Sequence, residues 1–138
     1  MRSIKFATLV LAPVLFAVLG ACAAVPAHGE ASDVVVSEGS DFTMQPGTQV
    51  TFADGGTLRY VRVLGDSRCM PDVQCIWAGD AEIAFEWTPS AGGTQAFSLH
   101  TGKEPKQQPL GKRRLVLVSL SRGALPSAVL RTERSTVP

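Results

Sequence analysis

Residues 81–87 alternate between apolar and polar side chains, and this pattern constrains the fold more than any other part of the chain. Successive side chains of a β-strand point to opposite faces, so the run predicts a strand with one buried face. The inward side chains are those of Ala81, Ile83, Phe85 and Trp87, and the outward ones are those of Glu82, Ala84 and Glu86.

The rest of the chain after residue 41 divides into similar short runs separated by turn sequences. Glycine reaches positive φ without a Cβ clash, so Asp-Gly-Gly at 54–56 and Ser-Ala-Gly-Gly at 90–93 predict hairpins. Other predicted strands comprise residues 34–36, 42–44, 48–53, 57–64, 94–100, 114–120 and 127–132, and residues 101–112 are predicted to form a long loop.

No segment beyond the N-terminus keeps a 3.6-residue apolar period over three turns, so helices longer than one turn are not expected. The fold class predicted is all-β, an antiparallel sandwich or small barrel of about 6–8 short strands. Residues 34–36 would form an edge strand and 127–132 would close the sheet. The run 114–120 is apolar at alternate and intervening positions, which predicts a central strand covered on both faces.

The N-terminus has the three zones of a secretory signal peptide: Arg2 and Lys5, an uncharged apolar run at 6–20, and small residues from Gly20. This apolar run is shorter than the about 20 residues that a membrane-spanning helix needs, and Pro13 interrupts it. We therefore expect a signal peptide over residues 1–21, a lipid-anchored or flexible tether over 22–40, and a single β-domain over 41–138.

Two cleavage sites compete at the end of the signal. Leu-Gly-Ala-Cys at 19–22 resembles a bacterial lipobox, in which Cys22 is acylated and anchors the protein in the membrane. Ordinary cleavage after Ala23 or Ala27 would instead release a soluble periplasmic or secreted protein. The residue after Cys22 is not the aspartate that retains such proteins at the inner membrane, so the lipoprotein alternative implies the outer membrane, facing the periplasm or the surface.

Cysteine arithmetic favours lipidation of Cys22. Cys69 and Cys75 lie close enough in sequence to form a disulfide, which leaves Cys22 as an odd thiol in an oxidising compartment. Loss of the signal removes two of the 13 basic residues, leaving 11 against 12 acidic ones, so no nucleic-acid partner is expected.

The densest cluster of unusual residues lies at 66–79 and reads Asp-Ser-Arg-Cys-Met-Pro-Asp-Val-Gln-Cys-Ile-Trp-Ala-Gly. It resembles a family of small exported bacterial proteins, many of them lipoproteins of uncharacterised function, that carry Asp-Ser-Arg-Cys, a spacer, and Cys-x-Trp-Ala-Gly. Two positions depart from that pattern: Met70 replaces a proline, and residues 121–126 replace a Pro-Tyr-Pro. The resemblance implies export and a β-fold, but it does not indicate which activity the protein has.

Several roles are predicted inside this cluster. Closing the ring between Cys69 and Cys75 stabilises the fold by about 2.4 kcal/mol in the loop-entropy treatment. Asp66 and Arg68 pair with each other or satisfy backbone donors, Trp77 packs against the disulfide or over the barrel end, and the loop is a stapled crossover between two hairpins. Asp66, Arg68, Met70, Asp72 and Trp77 together form the candidate interaction loop for an unknown protein or ligand.

The sequence contains no recognisable catalytic, cofactor or metal site. Five residues separate Cys69 from Cys75, unlike a Cys-x-x-Cys redox pair, and His28 and His100 supply no paired zinc spacing. His100 is interpreted as a solvent-facing residue at a strand end. The basic residues at 103–114 are interpreted as a solvated, edge-protecting loop, with contact to anionic envelope material as the alternative.

Three functions remain open. The first is a non-enzymatic binding or structural domain of the bacterial envelope. The second is a secreted inhibitor that presents the Cys69–Cys75 loop, with Met70 and Asp72 exposed, to a protease. The third is an enzyme of unrecognised type, which requires Asp66, Asp80, Glu82 or His100 to converge in one pocket. Within the first, an exposed Trp77 beside an open groove would favour ligand binding, and a buried Trp77 a purely structural role.

Overall fold

The computed structural model describes residues 35–135, and these form nine β-strands with no helix. The predicted all-β fold class is confirmed. The strands are β1 (Val35–Val36), β2 (Asp41–Met44), β3 (Gln49–Phe52), β4 (Thr57–Asp66), β5 (Ala81–Thr88), β6 (Gln95–His100), β7 (Gln107–Leu110), β8 (Arg113–Leu120) and β9 (Ala128–Arg134).

The strands form two sheets that pack as a sandwich. The first sheet has the order β1-β3-β4-β5-β6 and the second the order β2-β9-β8-β7. All pairings are antiparallel except that of β1 with β3, which is parallel. Strands β3 to β6 are consecutive along the chain and adjacent in the sheet, so both predicted hairpin turns are confirmed.

The core lies between the sheets and follows from the alternation in β5. Its residues are buried and half-buried in turn along the whole strand, as predicted. Tyr60 and Phe85 have no exposed surface, and their rings lie 5.3 Å apart. Phe97, on the edge strand β6, stacks on Phe85 at 5.6 Å and remains partly exposed. The second sheet contributes buried aliphatic side chains, among them Met44, Leu115, Leu117, Ala128 and Leu130.

The long loop predicted over residues 101–112 is wrong in part, because β7 lies inside it. Pro109 argued against a strand, since proline donates no backbone hydrogen bond. The Leu117 N–H donates to the Lys106 carbonyl, and this fixes which residues of β7 bond to β8. Every second residue of β7 directs its backbone groups towards β8, and Pro109 is one of the residues between. Its nitrogen, which carries no hydrogen, therefore faces the free edge of the second sheet, where no donor is needed.

The prediction that residues 114–120 are covered on both faces is also wrong. Strand β8 is central in its sheet, but Val118 is 45% exposed. A register shift between Leu117 and Ser119 inserts one residue into the ladder, so Leu117 and Leu120 both point to the core although they are three residues apart. Strand β9, predicted to close the sheet, lies inside it between β2 and β8.

The basic stretch at 103–114 is not wholly a solvated loop. Arg113 begins β8 and is 9% exposed, with its guanidinium 4.6 Å from the Phe52 ring centroid. Its Nη2 donates to Asp54 Oδ2 at 2.8 Å. This pair ties the turn before β4 to the second sheet, so the residue is structural.

The N-terminal side of the described chain and the β4–β5 loop lie at opposite ends of the first sheet. Val35 pairs with Thr51, which in turn pairs with Thr57 at the start of β4. Strand β4 then runs ten residues to Asp66, about 30 Å at the usual rise per residue. Strand β1 also belongs to the sheet, so the ordered fold starts before residue 41, within the range expected as tether.

Cys22, His28 and both alternative cleavage sites lie outside the described residues. Within residues 35–135, no helix is long and apolar enough to cross a membrane.

The register shift in β8 predicts that substitutions of two neighbouring apolar residues change the stability of the domain by different amounts. Leu117→Ala should lower the free energy of unfolding by about 2–5 kcal/mol, because it leaves a cavity between the sheets. Val118→Ala should change it by about 1 kcal/mol or less, because that side chain lies outside the core and is 45% exposed. Urea unfolding of the two variants measures the difference, and equal losses would contradict the assigned register.

Candidate functional site

The candidate site is the loop of residues 67–80, which joins β4 to β5. These strands are adjacent and antiparallel, so the loop is a long hairpin connection within one sheet and the predicted crossover is wrong. The predicted disulfide between Cys69 and Cys75 is confirmed, with 5.9 Å between the Cα atoms. It closes the outer part of the loop into a small ring.

An ion pair fixes the base of the loop, as predicted for Asp66 and Arg68. Arg68 Nε donates to Asp66 Oδ1 at 2.9 Å, its Nη2 donates to Oδ2, and its backbone N–H donates to Oδ1 at 3.0 Å. These hydrogen bonds hold the pKa of Asp66 at about 2, while the carboxylate raises the pKa of Arg68. Two residues thus satisfy both the charges and the backbone of the turn out of β4.

The same arginine connects the loop to the second sheet. Its Nη1 donates to the Leu120 carbonyl and its Nη2 donates to the Ser121 carbonyl at 3.0 Å, at the end of β8. Arg122 returns the contact by donating to the Cys69 carbonyl. The loop therefore has supports on both sheets, although it belongs to only one.

Tyr60 supports this attachment from within the core. Its hydroxyl donates to the Pro126 carbonyl at 2.9 Å, in the connection between β8 and β9. Burial raises the pKa of Tyr60, with the nearby Arg68 charge opposing the shift, so the phenol keeps its proton and its role as donor. Tyr60 thus fills the core and also positions the connection between β8 and β9, to which Arg68 is hydrogen-bonded.

Gly79 allows the loop to close tightly before β5. Its φ is +72°, a region that L side chains rarely adopt. A Cβ there would also lie 2.0 Å from the Ser67 carbonyl oxygen, so a side chain is excluded sterically as well. The expected tight turn at Ala78 and Gly79 is confirmed, and it lets Ser67 N–H donate to the Asp80 carbonyl at 2.7 Å.

The outer part of the loop exposes four large apolar side chains. Ile76 is 94% exposed, Trp77 83%, Met70 63% and Val73 56%. We call these four residues the apolar tip. The expectation that Trp77 packs over the disulfide or the end of the fold is wrong, because its exposure leaves the indole in solvent. Asp72 is exposed as well, so both residues required by the inhibitor hypothesis are accessible.

His100 holds the other side of the loop base. The prediction that it faces solvent is wrong, because its side chain is buried. Its Nδ1 lies 2.7 Å from Asp80 Oδ2, and the Gly102 N–H donates to Asp80 Oδ1 at 2.8 Å. Burial opposes ionisation of Asp80, but the hydrogen bonds from Gly102 and His100 outweigh it and hold its pKa below the usual range. Glu82 is the cross-strand partner of His100, so the imidazole lies against the acidic residues at the start of β5, which alternation within β6 does not reveal.

Three of the four residues named for an enzyme converge in one cavity. Asp66, Asp80 and Glu82 line a cavity of about 260 Å³, and His100 Nε2 lies 4.0 Å from Glu82 Oε1. However, the imidazole is not part of the cavity wall. The Ser98 hydroxyl donates to Glu82 Oε1 at 2.8 Å, and the Ser67 hydroxyl, which lines the cavity, donates to the Asp80 carbonyl at 3.0 Å. Arg68 thus binds the Asp66 carboxylate, His100 binds that of Asp80 and Ser98 binds that of Glu82, which suits a support for the loop.

The described residues contain no cluster of side chains suited to binding a metal ion. Cys69 and Cys75 are bonded to each other, so neither offers a thiolate. Across residues 35–135, no group of three histidine, cysteine, aspartate or glutamate side chains is arranged to hold a metal ion.

Two supporting residues had no recognisable role in the sequence. Arg122 and Tyr60 act through backbone carbonyls that are 53 and 66 residues away in sequence. Carbonyl acceptors leave no residue signature, so no pattern along the chain could have identified them. His100 carried a weak signal, because the predicted hairpin of residues 81–87 with 94–100 brings its outer ends together, and Asp80, Glu82 and His100 lie at those ends.

Comparison of the chain with known proteins gave no match among family descriptions, curated proteins or solved structures.

The Asp66–Arg68 pair makes a prediction for acid stability. A carboxylate with a lowered pKa in the folded state contributes stability above its unfolded pKa, near 4, and loses that contribution as the pH falls towards about 2. Asp66→Asn should therefore unfold more easily than the wild type at neutral pH and should show a smaller further loss between pH 4 and 2. Thermal unfolding across this range provides the measurement.

Asp72→Asn is the control, since that carboxylate makes no ion pair with any residue of the described chain. It should retain the wild-type acid profile. The assignment is contradicted by an Asp66→Asn profile that runs parallel to the wild type throughout.

Proposed function

We propose that this protein is an exported domain of the bacterial envelope that binds a protein partner through the apolar tip. The observation that carries the proposal is the exposure of Met70, Val73, Ile76 and Trp77 on one short loop. Single exposed apolar side chains are common on protein surfaces, but a contiguous group marks a contact site. Tryptophan in particular is enriched at the centres of protein interfaces.

The apolar tip contributes little to the stability of the domain. Its side chains project into solvent, and the core is complete without them. Covering one large apolar side chain on binding contributes roughly 1.5–3 kcal/mol. Burial of these side chains can therefore contribute to the free energy of binding, because folding leaves them exposed.

The supports beneath the tip favour recognition of a partner by a preformed surface. The disulfide, the Asp66–Arg68 pair and the Arg122 contact all act within the residues that flank the tip. A loop ordered before binding loses less conformational entropy when it binds. This is the expected design of a recognition loop.

The export proposal rests on the signal-like N-terminus and on the disulfide, since disulfides persist in oxidising compartments. Within it, acylation of Cys22 and outer-membrane anchoring is the first alternative, because Cys69 and Cys75 are bonded to each other and leave Cys22 as the remaining cysteine. Release as a soluble periplasmic or secreted protein after Ala23 or Ala27 is the second. The resemblance of residues 66–79 to small exported bacterial proteins agrees with both.

A second candidate function is protease inhibition. Met70 is 63% exposed at the start of the disulfide ring, and Met70, Pro71, Arg68 and Arg122 line a cavity of about 330 Å³. A loop braced by a disulfide can enter the cleft of a protease already in its bound conformation, with an exposed side chain such as Met70 leading. In this alternative Met70, and not Trp77, is the side chain on which binding depends.

Export and anchoring are tested by the intact mass of the protein after expression in a native-like host. We expect a chain that begins at Cys22 and carries added acyl mass, with a further deficit of two hydrogens from the disulfide. An unmodified chain that begins at Ala24 or His28 would exclude the anchor.

The binding role is tested by placing a photoreactive amino acid at Ile76 in cells and following the covalent adduct. We expect one discrete adduct, and Trp77→Ser should lower its yield at least tenfold, because loss of a central aromatic residue costs roughly 2 kcal/mol or more. The matched control is Val118→Ser, which removes an exposed apolar side chain from the opposite sheet.

The two candidates are separated by adding purified protein to a chymotrypsin-type protease. No inhibition, together with a Trp77-dependent adduct, supports the first function. Inhibition that disappears in Met70→Ala but persists in Trp77→Ser supports the second and overturns the first.

A further inference from the structure

We propose that the chain forms a two-fold dimer by antiparallel pairing of β6 with β6 of a second copy, which joins the two first sheets into one continuous sheet. Strand β6 is an edge of the first sheet. This proposal is independent of the apolar tip, which lies on the loop between β4 and β5.

The hydrogen-bond alternation identifies which backbone groups of β6 are free. The Thr101 N–H donates to the Ala81 carbonyl, so Leu99 and Phe97, at two-residue steps, also face β5. The intervening residues Ser98 and Ala96 therefore direct N–H and C=O away from β5. Within the described chain, Pro105 provides the one backbone partner on that side, by accepting from His100 N–H at 2.9 Å.

This edge lacks the features that normally prevent strands from pairing. Natural edge strands carry lysine, proline or a bulge, whereas β6 reads Gln-Ala-Phe-Ser-Leu-His and pairs with β5 without a register shift. The neighbouring edge β7 shows the contrast, since Pro109 removes a donor at its centre. One edge is thus protected and the other is open.

The open edge is complementary to itself. If the two-fold axis passes beside Phe97, then Ala96 of one copy lies opposite Ser98 of the other, and both pairs exchange N–H to C=O bonds. Four hydrogen bonds result, and none of them competes with β5. Any extended strand has the same backbone spacing, but in this register a second copy also places its Phe97 directly opposite Phe97 of the first.

The side chains favour the same arrangement on both faces of the sheet. On the inner face, Phe97 stacks on Phe85 and is partly exposed, so two-fold pairing would extend this stack to the second copy's phenylalanines. On the outer face, the small side chains of Ala84, Ala96 and Ser98 line a shallow cavity of about 380 Å³. Across the junction itself no like charges would meet.

Sedimentation of the purified full chain over a concentration series tests the proposal, with Ala96→Pro and Ala96→Ser as matched variants. We expect the wild type and Ala96→Ser to dimerise with rising concentration. Ala96→Pro should remain monomeric, because it removes two of the four donors while leaving every hydrogen bond to β5. Circular dichroism and the Tm check that this variant is folded.

Amide hydrogen exchange gives a second readout that does not depend on a variant. The amides of Ala96 and Ser98 should be protected at high concentration and exchange freely at low concentration, whereas the Phe97 amide is protected in both. The proposal is overturned by a wild type that is monomeric throughout, or by a dimer that persists in Ala96→Pro, whether or not Trp77→Ser removes it.

Discussion

The guanidinium of Arg68 is the point on which the functional end of this domain depends. It sits where three chain segments meet: the end of β4, the disulfide loop, and the turn after β8. A lysine could not replace it, because a single ammonium lacks the planar set of donors needed to bond a carboxylate and two carbonyls at once. Asp66 keeps that charge satisfied, and so the position of the loop is set by one charged pair and two carbonyls.

Local chemistry made the strands of the first sheet predictable. The alternation in β5 and the glycine turns at 54–56 and 90–93 each act within a few residues, and the structure follows them. Prediction failed at one irregularity inside a strand and at one contact between residues distant in the chain. A single inserted residue at Val118 reverses the direction of the side chains that follow it. His100 is buried against Asp80, 20 residues earlier in the chain, and no pattern within β6 reports this.

The contacts within the candidate loop were predicted from the sequence, but the contacts that attach the loop to the rest of the domain were not. Sequence spacing identified the disulfide and the Asp66–Arg68 pair, since both join residues within six positions. It could not show that Arg68 and Arg122 bond carbonyls on the opposite side of the loop's base, because any residue supplies a carbonyl. It also misplaced Trp77, since an indole beside a disulfide is usually buried and here nothing is packed over it.

The length of β4 gives the domain a built-in spacer. The described chain starts at Val35 beside the first residues of β4, whereas the loop follows the last. With Cys22 as anchor, the thirteen residues 22–34 extend to at most about 45 Å, and the sheet adds about 30 Å of rigid length. The loop would then reach partners well beyond the lipid headgroups. Shortening residues 22–34 would reduce this reach without altering the binding surface of the loop.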